Sequence, residues 1–283
     1  MVEEQPQLNN SAFFRLMAIP SVIWCSVFVL GPLSFVFIYA FLKRGTYGGI
    51  QWIFTLENFI RAFDWIYLRI FLESVKIALG SSFMCVLIAF PIALMMSQSG
   101  PRIKKVILAM LLLPFLTNCV LRTTAIKALL LVLERQLAPT VLSADLKVWM
   151  GMITAFLPFA VLPVYVSLEK FDFTLLEAAR DLGAPPLTRF VKVMFPMIKP
   201  GLIAAFTLVF IPALCEFLIP DFLGGAKNML IGGLISRQFL DSRDWPFGSA
   251  LSVMLILVIF SVIYAERLIL KWKSLENRKR KNL

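Results

Sequence analysis

Glu216 is the side chain whose type and setting most directly suggest chemistry. It lies in the apolar run Pro200 to Ile219, with Pro212 and Pro220 four residues to either side. An ionisable group in a membrane span is costly and rare, and it marks a path or an internal partner. Proline removes a backbone donor and unwinds a helix. Prolines at this spacing therefore open carbonyls to a cation beside a carboxylate. The structural alternative is a salt bridge from Glu216 to Arg122 or Lys127, which interrupt the apolar run Val106 to Leu133. The chain has no histidine, which excludes a His-based metal or proton-relay site. Cys25, Cys85, Cys119 and Cys215 all fall in apolar runs without paired spacing and read as buried small hydrophobes, not disulfides or metal ligands. No phosphate loop, catalytic triad or zinc spacing is present, so the chain is not an enzyme by itself.

A second segment stands apart for the opposite reason. Residues Glu177 to Gly201, EAARDLGAPPLTRFVKVMFPMIKPG, are polar and charged between two strongly apolar runs. Glu177, Ala178, Ala179 and Arg180 favour a helix, and Thr174 is placed to close a capping box with Glu177. Gly183 permits a sharp turn, and Pro185-Pro186 suits the start of a second short helix with Phe190, Val193 and Met194 on one face. The expected result is a helix-turn-helix across one membrane face, either a partner's docking surface or a solvated connector. The segment closes on Pro196 and Pro200.

The elements that must position these groups follow from composition. Hydrophobic residues make up 59% of the 283 and the mean hydropathy is +0.83. Leu16 to Leu42, Ile77 to Ser97, Val148 to Leu168 and Trp245 to Ala265 are long enough to span a bilayer. With the two interrupted runs they predict an all-α membrane protein of six transmembrane helices. Lys and Arg concentrate in Arg102 to Lys105, Lys170 to Lys199 and Arg267 to Lys281, which predicts that both termini are cytoplasmic. That distribution assigns the net charge of +11 to topology and headgroups rather than nucleic acid. Residues 1–15 read as a cytoplasmic segment leading into an uncleaved first span. Residues 16–268 read as one transmembrane domain containing the loop 169–200, and 269–283 as a basic cytoplasmic tail. The aromatics between Lys43 and Arg69 read as interfacial anchors, Glu73 and Lys76 as a neutralising pair, and Gly224-Gly225 and Gly232-Gly233 as turn glycines around a short amphipathic helix.

The pattern Glu177-Ala178-Ala179, Gly183, Phe190 and Pro196, between the fourth and fifth of six spans, closely resembles the EAA loop of ABC-importer permeases with the MetI-like architecture. Phe195 and Pro185-Pro186 depart from the common form of that loop. The segments LLLPFLTNCVLRT, PALCEFLIPDFLGGAKNMLIGG and RDWPFGSA narrow the likeness to spermidine/putrescine permease subunits of the PotB type. The resemblance implies a non-catalytic inner-membrane subunit of bacteria, paired with a second permease subunit, two cytoplasmic ATPase subunits that bind ATP and Mg, and a periplasmic polyamine-binding protein. No cofactor is implied for this chain. It implies that Glu177, Ala178, Ala179, Asp181 and Gly183 carry the docking to the ATPase. A polyamine path needs carboxylates and aromatic faces. The candidates are Glu216, Asp221, which reads equally as an outer-mouth carboxylate or a surface charge, and Trp245, which reads as a cation–π face or an aromatic-belt anchor. Asp241 and Asp244 are expected to face the binding protein, with Arg237 and Arg243 as ion-pair partners. Two other readings of the residues are a permease for another solute, faced by Arg122 and Lys127, and a cation-coupled secondary transporter using Glu216.

Overall fold

The computed structural model describes residues 19–45, 48–137, 143–225 and 229–281. The segment 1–15, Tyr47 and Ala226 to Asn228 of the GGAKN block lie outside the described residues. The chain forms two compact units, one of Met1–Phe63 with Gln238–Ile256 and one of Asp64–Arg237 with Leu257–Leu283.

In the first unit, α1 (Ile19–Ala40) is a 22-residue apolar helix whose most apolar 18-residue stretch is not buried at all, and whose end at Ala40 is buried. A π turn at Ser26–Leu30 precedes Gly31-Pro32, where the ring cannot supply a backbone donor. Next come strands β1 (Leu42–Arg44) and β2 (Ile50–Phe54), an antiparallel pair with no strand signal in the surrounding apolar pattern. Gly48 and Gly49 take φ of +92° and +79° in the turn between them, where L residues are strained. Asn58, in α2 (Glu57–Ala62), donates its amide to the carbonyls of Ala40 at 3.1 Å and Leu42 at 2.8 Å. Those bonds close the corner between the end of α1 and the hairpin. Of the expected interfacial aromatics, Trp52, Phe54, Phe63 and Trp65 are exposed, whereas Phe59 packs with Phe41 against Ala40, Ala250 and Val253.

The second unit is built on α3 (Trp65–Gln98), α6 (Ala144–Glu169) and α8 (Pro186–Cys215), which pack on one another. Small residues make the approach close: Ala78, Ser82, Ala89 and Ala93 of α3 are fully buried along one stripe. The Ser82 hydroxyl is satisfied by the Ala78 carbonyl at 2.7 Å, so the stripe leaves it no unmet polar group. Gly201 of α8 has no room for a β-carbon, which would overlap the Ser167 side chain and lie 3.0 Å from the Pro163 carbonyl of α6.

Among the described residues five helices are long and apolar enough to cross a membrane. The sixth run is broken into α4 (Pro101–Leu112), a 3₁₀ turn (Leu113–Leu116) and α5 (Cys119–Leu137). The cause is local: Pro114 interrupts the backbone ladder, and Asn118 accepts from the Val120 amide at 2.9 Å to start a new helix. The Arg122 guanidinium donates to the freed Pro114 carbonyl at 3.0 Å. Arg122 thus holds the break together. The chain ends in α11 (Trp245–Lys281).

Candidate functional site

The polar segment begins in α7 (Thr174–Asp181). The expected capping box does not form. Asp172 caps the turn instead, its Oδ1 accepting from the Thr174 amide at 3.0 Å and hydroxyl at 2.7 Å. Those hydrogen bonds favour the ionised form and hold the Asp172 carboxyl below its ordinary pKa. The far end is a Schellman cap. Ala184 donates to the Ala179 carbonyl at 3.0 Å, Gly183 donates to Arg180 at 2.9 Å, and Gly183 takes φ +78°. Glu177, Ala178, Asp181 and Gly183 are exposed, and Ala179 is half-buried. Leu182 and Leu187 are 89% and 73% exposed, an apolar pair uncovered by the chain's own residues.

The second half of the segment differs from the expected separate helix. Pro186 begins α8, and a π turn at Phe190–Met194 joins it without interruption to the 30-residue helix ending at Cys215. Pro196 and Pro200 lie within this rod instead of ending it. The wider π turn lets the chain pass Pro196, whose missing amide would otherwise leave a gap in the ladder. Phe190, Val193 and Met194 do share the inward face, with Phe190 packed edge-on to Phe90 of α3 at 5.5 Å. At the base of α6, Glu169 Oε1 accepts from Lys104 at 3.1 Å and from the Tyr165 hydroxyl at 2.5 Å, bracing the entry to the segment.

At its other end α8 stops at Glu216, whose ψ of 131° is extended. The Glu216 carboxylate turns back to accept from the amides of Leu218 at 2.9 Å and Ile219 at 3.4 Å. It thereby caps α9 (Leu218–Leu223), which contains Pro220 and Asp221. Among the described residues Glu216 forms no salt bridge with Arg122 or Lys127. Arg122 serves Pro114, and Lys127 lies 5.9 Å above the Phe222 ring. The unwound carbonyls are themselves covered on one side. A β-carbon at Gly232 would strike the Cys215 carbonyl and lie 3.1 Å from that of Glu216. Gly232 and Gly233 are thus helical residues of α10 (Ile231–Leu240), not turn residues, and α10 is the expected amphipathic helix.

The remaining acidic residues separate by environment. Asp221 pairs with Arg237 at 2.9 Å, both largely exposed. Arg237 is therefore not the partner of Asp241 or Asp244. Asp241 is exposed. Asp244 is 1% exposed, paired with Arg61 at 2.9 Å and Arg44 at 3.5 Å. Its Oδ1 also accepts from the Phe247 amide at 3.3 Å, capping α11, while Arg61 stacks on the Phe247 ring at 4.0 Å. This corrects its assignment as a contact for another protein: the carboxylate is consumed inside its own unit. Arg243, the other expected partner, instead takes φ +49° in the turn before it. The sequence carried a signal for this, since Asp244-Trp245-Pro246 is an N-cap followed by proline in the first turn. Trp245 is 43% exposed and stacks on Tyr39 at 6.5 Å. Of the cysteines only Cys85 is buried; Cys25, Cys119 and Cys215 are exposed, contrary to the reading of all four as buried.

Residues 86–273 match the family described as the binding-protein-dependent transport system inner membrane component. The chain belongs to that family. It is 36% identical over 275 residues to the spermidine/putrescine transport system permease protein PotB of Escherichia coli strain K12, covering 92% of this chain and all of that one. It is equally identical to PotB of Haemophilus influenzae over 285 residues, 95% of this chain and all of the relative. A crystal structure of a bacterial ABC transporter involved in import of the acidic polysaccharide alginate superposes with a TM-score of 0.64, over 93% of this chain and 97% of the matched one, at 16% identity. The fold is that of an ABC-importer permease, and the chain is a multi-pass membrane protein.

Proposed function

We propose that this chain is a non-catalytic transmembrane subunit of an ATP-driven polyamine importer in the bacterial inner membrane. Its partners are a second permease subunit, two ATPase subunits that bind ATP and Mg on the cytoplasmic side, and a periplasmic polyamine-binding protein. The observation that carries the mechanism is the unbroken helix from Pro186 to Cys215. It ties the exposed, Schellman-capped turn at Gly183 to the unwound residue Glu216. At 1.5 Å per residue the continuous helix is about 45 Å long, so one element carries a displacement of one end toward the other. The π turn and Pro196, Pro200 and Pro212 are the points where it can flex. Glu177, Ala178, Asp181 and Gly183, with the uncovered Leu182 and Leu187, form the surface that an ATPase cleft would take. Closure of the ATPases and docking of the loaded binding protein jointly favour the outward-open state.

The PotB relatives, named for spermidine and putrescine transport, support the choice of solute. Glu216 at the break and Asp221, five residues on, supply carboxylates for the path; in the other unit Trp245 is an aromatic face for the solute and the exposed Asp241 a contact for the binding protein. The test is uptake of labelled spermidine and putrescine in cells lacking this gene, with and without complementation. Loss and restoration support the proposal; unchanged uptake in cells with no redundant transporter removes the solute. A permease for another, anionic solute is the second reading. It is favoured by one observation, that Arg122 and Lys127 have no carboxylate partner among the described residues. Competition by organic anions in the same assay separates the two.

A further inference from the structure

The second unit holds a cavity of about 570 Å³, apart from the coupling segment and lined in part by the Glu73 and Lys76 pair. Asp145, at the start of α6, lines it, whereas the coupling segment follows the end of α6. The cavity therefore opens on the membrane face opposite that segment, some 39 Å away along a 26-residue helix. Pockets of a few hundred Å³ hold small organic ligands. Trp65, Arg69, Glu73 and Lys76 of α3 present one stripe toward it at three- and four-residue spacing. A 34-residue helix is about 51 Å long against a hydrocarbon core of about 30 Å. The charged first turns of α3 can thus stand in the headgroup layer or beyond it, in reach of water.

The arrangement inside the cavity is specific. The Lys76 ammonium sits between two carboxylates from different helices, 3.2 Å from Glu73 Oε2 and 3.4 Å from Asp145 Oδ2. All three side chains are about half exposed, at 55%, 47% and 40%. Exposed ion pairs of this kind are weak and exchange readily. A primary ammonium tethered on a lysine is the same chemical group as the terminus of a polyamine. We propose that Glu73 and Asp145 form an entry site for a primary ammonium, which Lys76 occupies as a tethered competitor until an incoming polyamine displaces it. This rests on the polyamine reading above. Trp65, 71% exposed at the rim, offers its ring to a second, methylene-linked ammonium. Arg69 opposes cation entry and sets the site's affinity low, as a site that must release its ligand inward requires.

The test is equilibrium binding of radiolabelled spermidine to the assembled importer in nanodiscs, with the binding protein omitted. Removing the competitor with Lys76→Gln is expected to tighten the dissociation constant by about fivefold, the scale of one exposed ion pair. Glu73→Gln and Asp145→Asn are expected to weaken it by a similar factor or more. A purely structural brace predicts the same direction for all three, because each breaks the same contacts; unchanged or weaker binding in Lys76→Gln overturns the proposal. Phosphatidylethanolamine also carries a primary ammonium, so binding is compared in nanodiscs with and without it. Equal affinity assigns the site to the solute, whereas spermidine binding seen only without that lipid gives it to the headgroup and overturns the proposal. Uptake by the wild type with no Lys76 effect rejects the entry site alone. A wild type that neither binds nor imports spermidine rejects both the site and the function it rests on.

Discussion

Gly183 separates two ways in which the coupling turn can fail. Its φ of +78° lies in the left-handed region, and a β-carbon built there meets nothing within 4 Å. Within the chain, therefore, a side chain at 183 costs only backbone strain, about 1 kcal/mol for alanine and less for asparagine. Since about 1.4 kcal/mol is a factor of ten in an equilibrium, Gly183→Ala lowers the population of the capped turn by roughly fivefold, and Gly183→Asn by less. If geometry of the turn is all that coupling needs, uptake follows the order Gly, Asn, Ala. If a partner's surface closes directly on the exposed turn, size and charge decide instead. The order then becomes Gly, Ala, Asn, with Gly183→Asp inactive. The assay is spermidine uptake in the complemented deletion strain, with co-purification of the ATPase and membrane abundance measured on the same cells. We expect the second order, with Gly183→Asp fully inserted but without bound ATPase. Normal uptake by Gly183→Asp would refute the role of this turn in coupling.

Other expectations follow from single contacts. Glu216→Ala removes the acceptor for Leu218 and Ile219 and should cost about 1 kcal/mol of stability by melting of the purified complex. Glu216→Gln keeps an acceptor, so it should leave melting nearly unchanged while reducing uptake; unaltered uptake kinetics would assign Glu216 to capping alone. Asp244→Ala removes an ion-pair partner of Arg61 and Arg44 and uncaps α11, and should destabilise by about 2 kcal/mol, less than for a fully buried pair because the arginines are partly exposed. Asp241→Ala should leave melting unchanged and weaken only uptake that depends on the binding protein. Gly201→Ala forces a methyl into Ser167 and should cost about 1–3 kcal/mol, partly recovered in a double variant with Ser167→Gly. Because its folded pKa is depressed, Asp172 stabilises α7 above the ordinary aspartate value and loses that effect as pH falls through the lower one. Thr174→Ala removes the hydroxyl donor but keeps the amide, so it should reduce this acid dependence in hydrogen exchange of the α7 amides, and Asp172→Asn should abolish it.

Much of the fold was legible because membrane spans announce themselves by length and lack of charge. The four longest uncharged runs each became a helix, and α7 with its glycine turn was readable from EAA, Gly183 and the flanking charges. Local cues misled where two of them competed. Thr174 and Glu177 suggested a capping box, but Asp172 lies within reach of both Thr174 donors and won. Prolines 196 and 200 suggested an end to the helix, yet a π turn accommodated the first, and the helix runs on through the second to pack Gly201 against α6.

The sequence by itself determined which segments enter the membrane, where the polar coupling turn falls and where a carboxylate interrupts a span. Hydropathy, glycine and proline act over a few residues, so their consequences are local and readable. Only the tertiary structure decided what each charge does. Asp244 was consumed by Arg61 and Arg44, Arg237 went to Asp221, Arg122 to the Pro114 carbonyl, and Lys76 to both Glu73 and Asp145. The partners in such pairs lie up to 200 residues apart in the chain. A charge finds its partner by distance in space, and spacing along the sequence does not encode that distance.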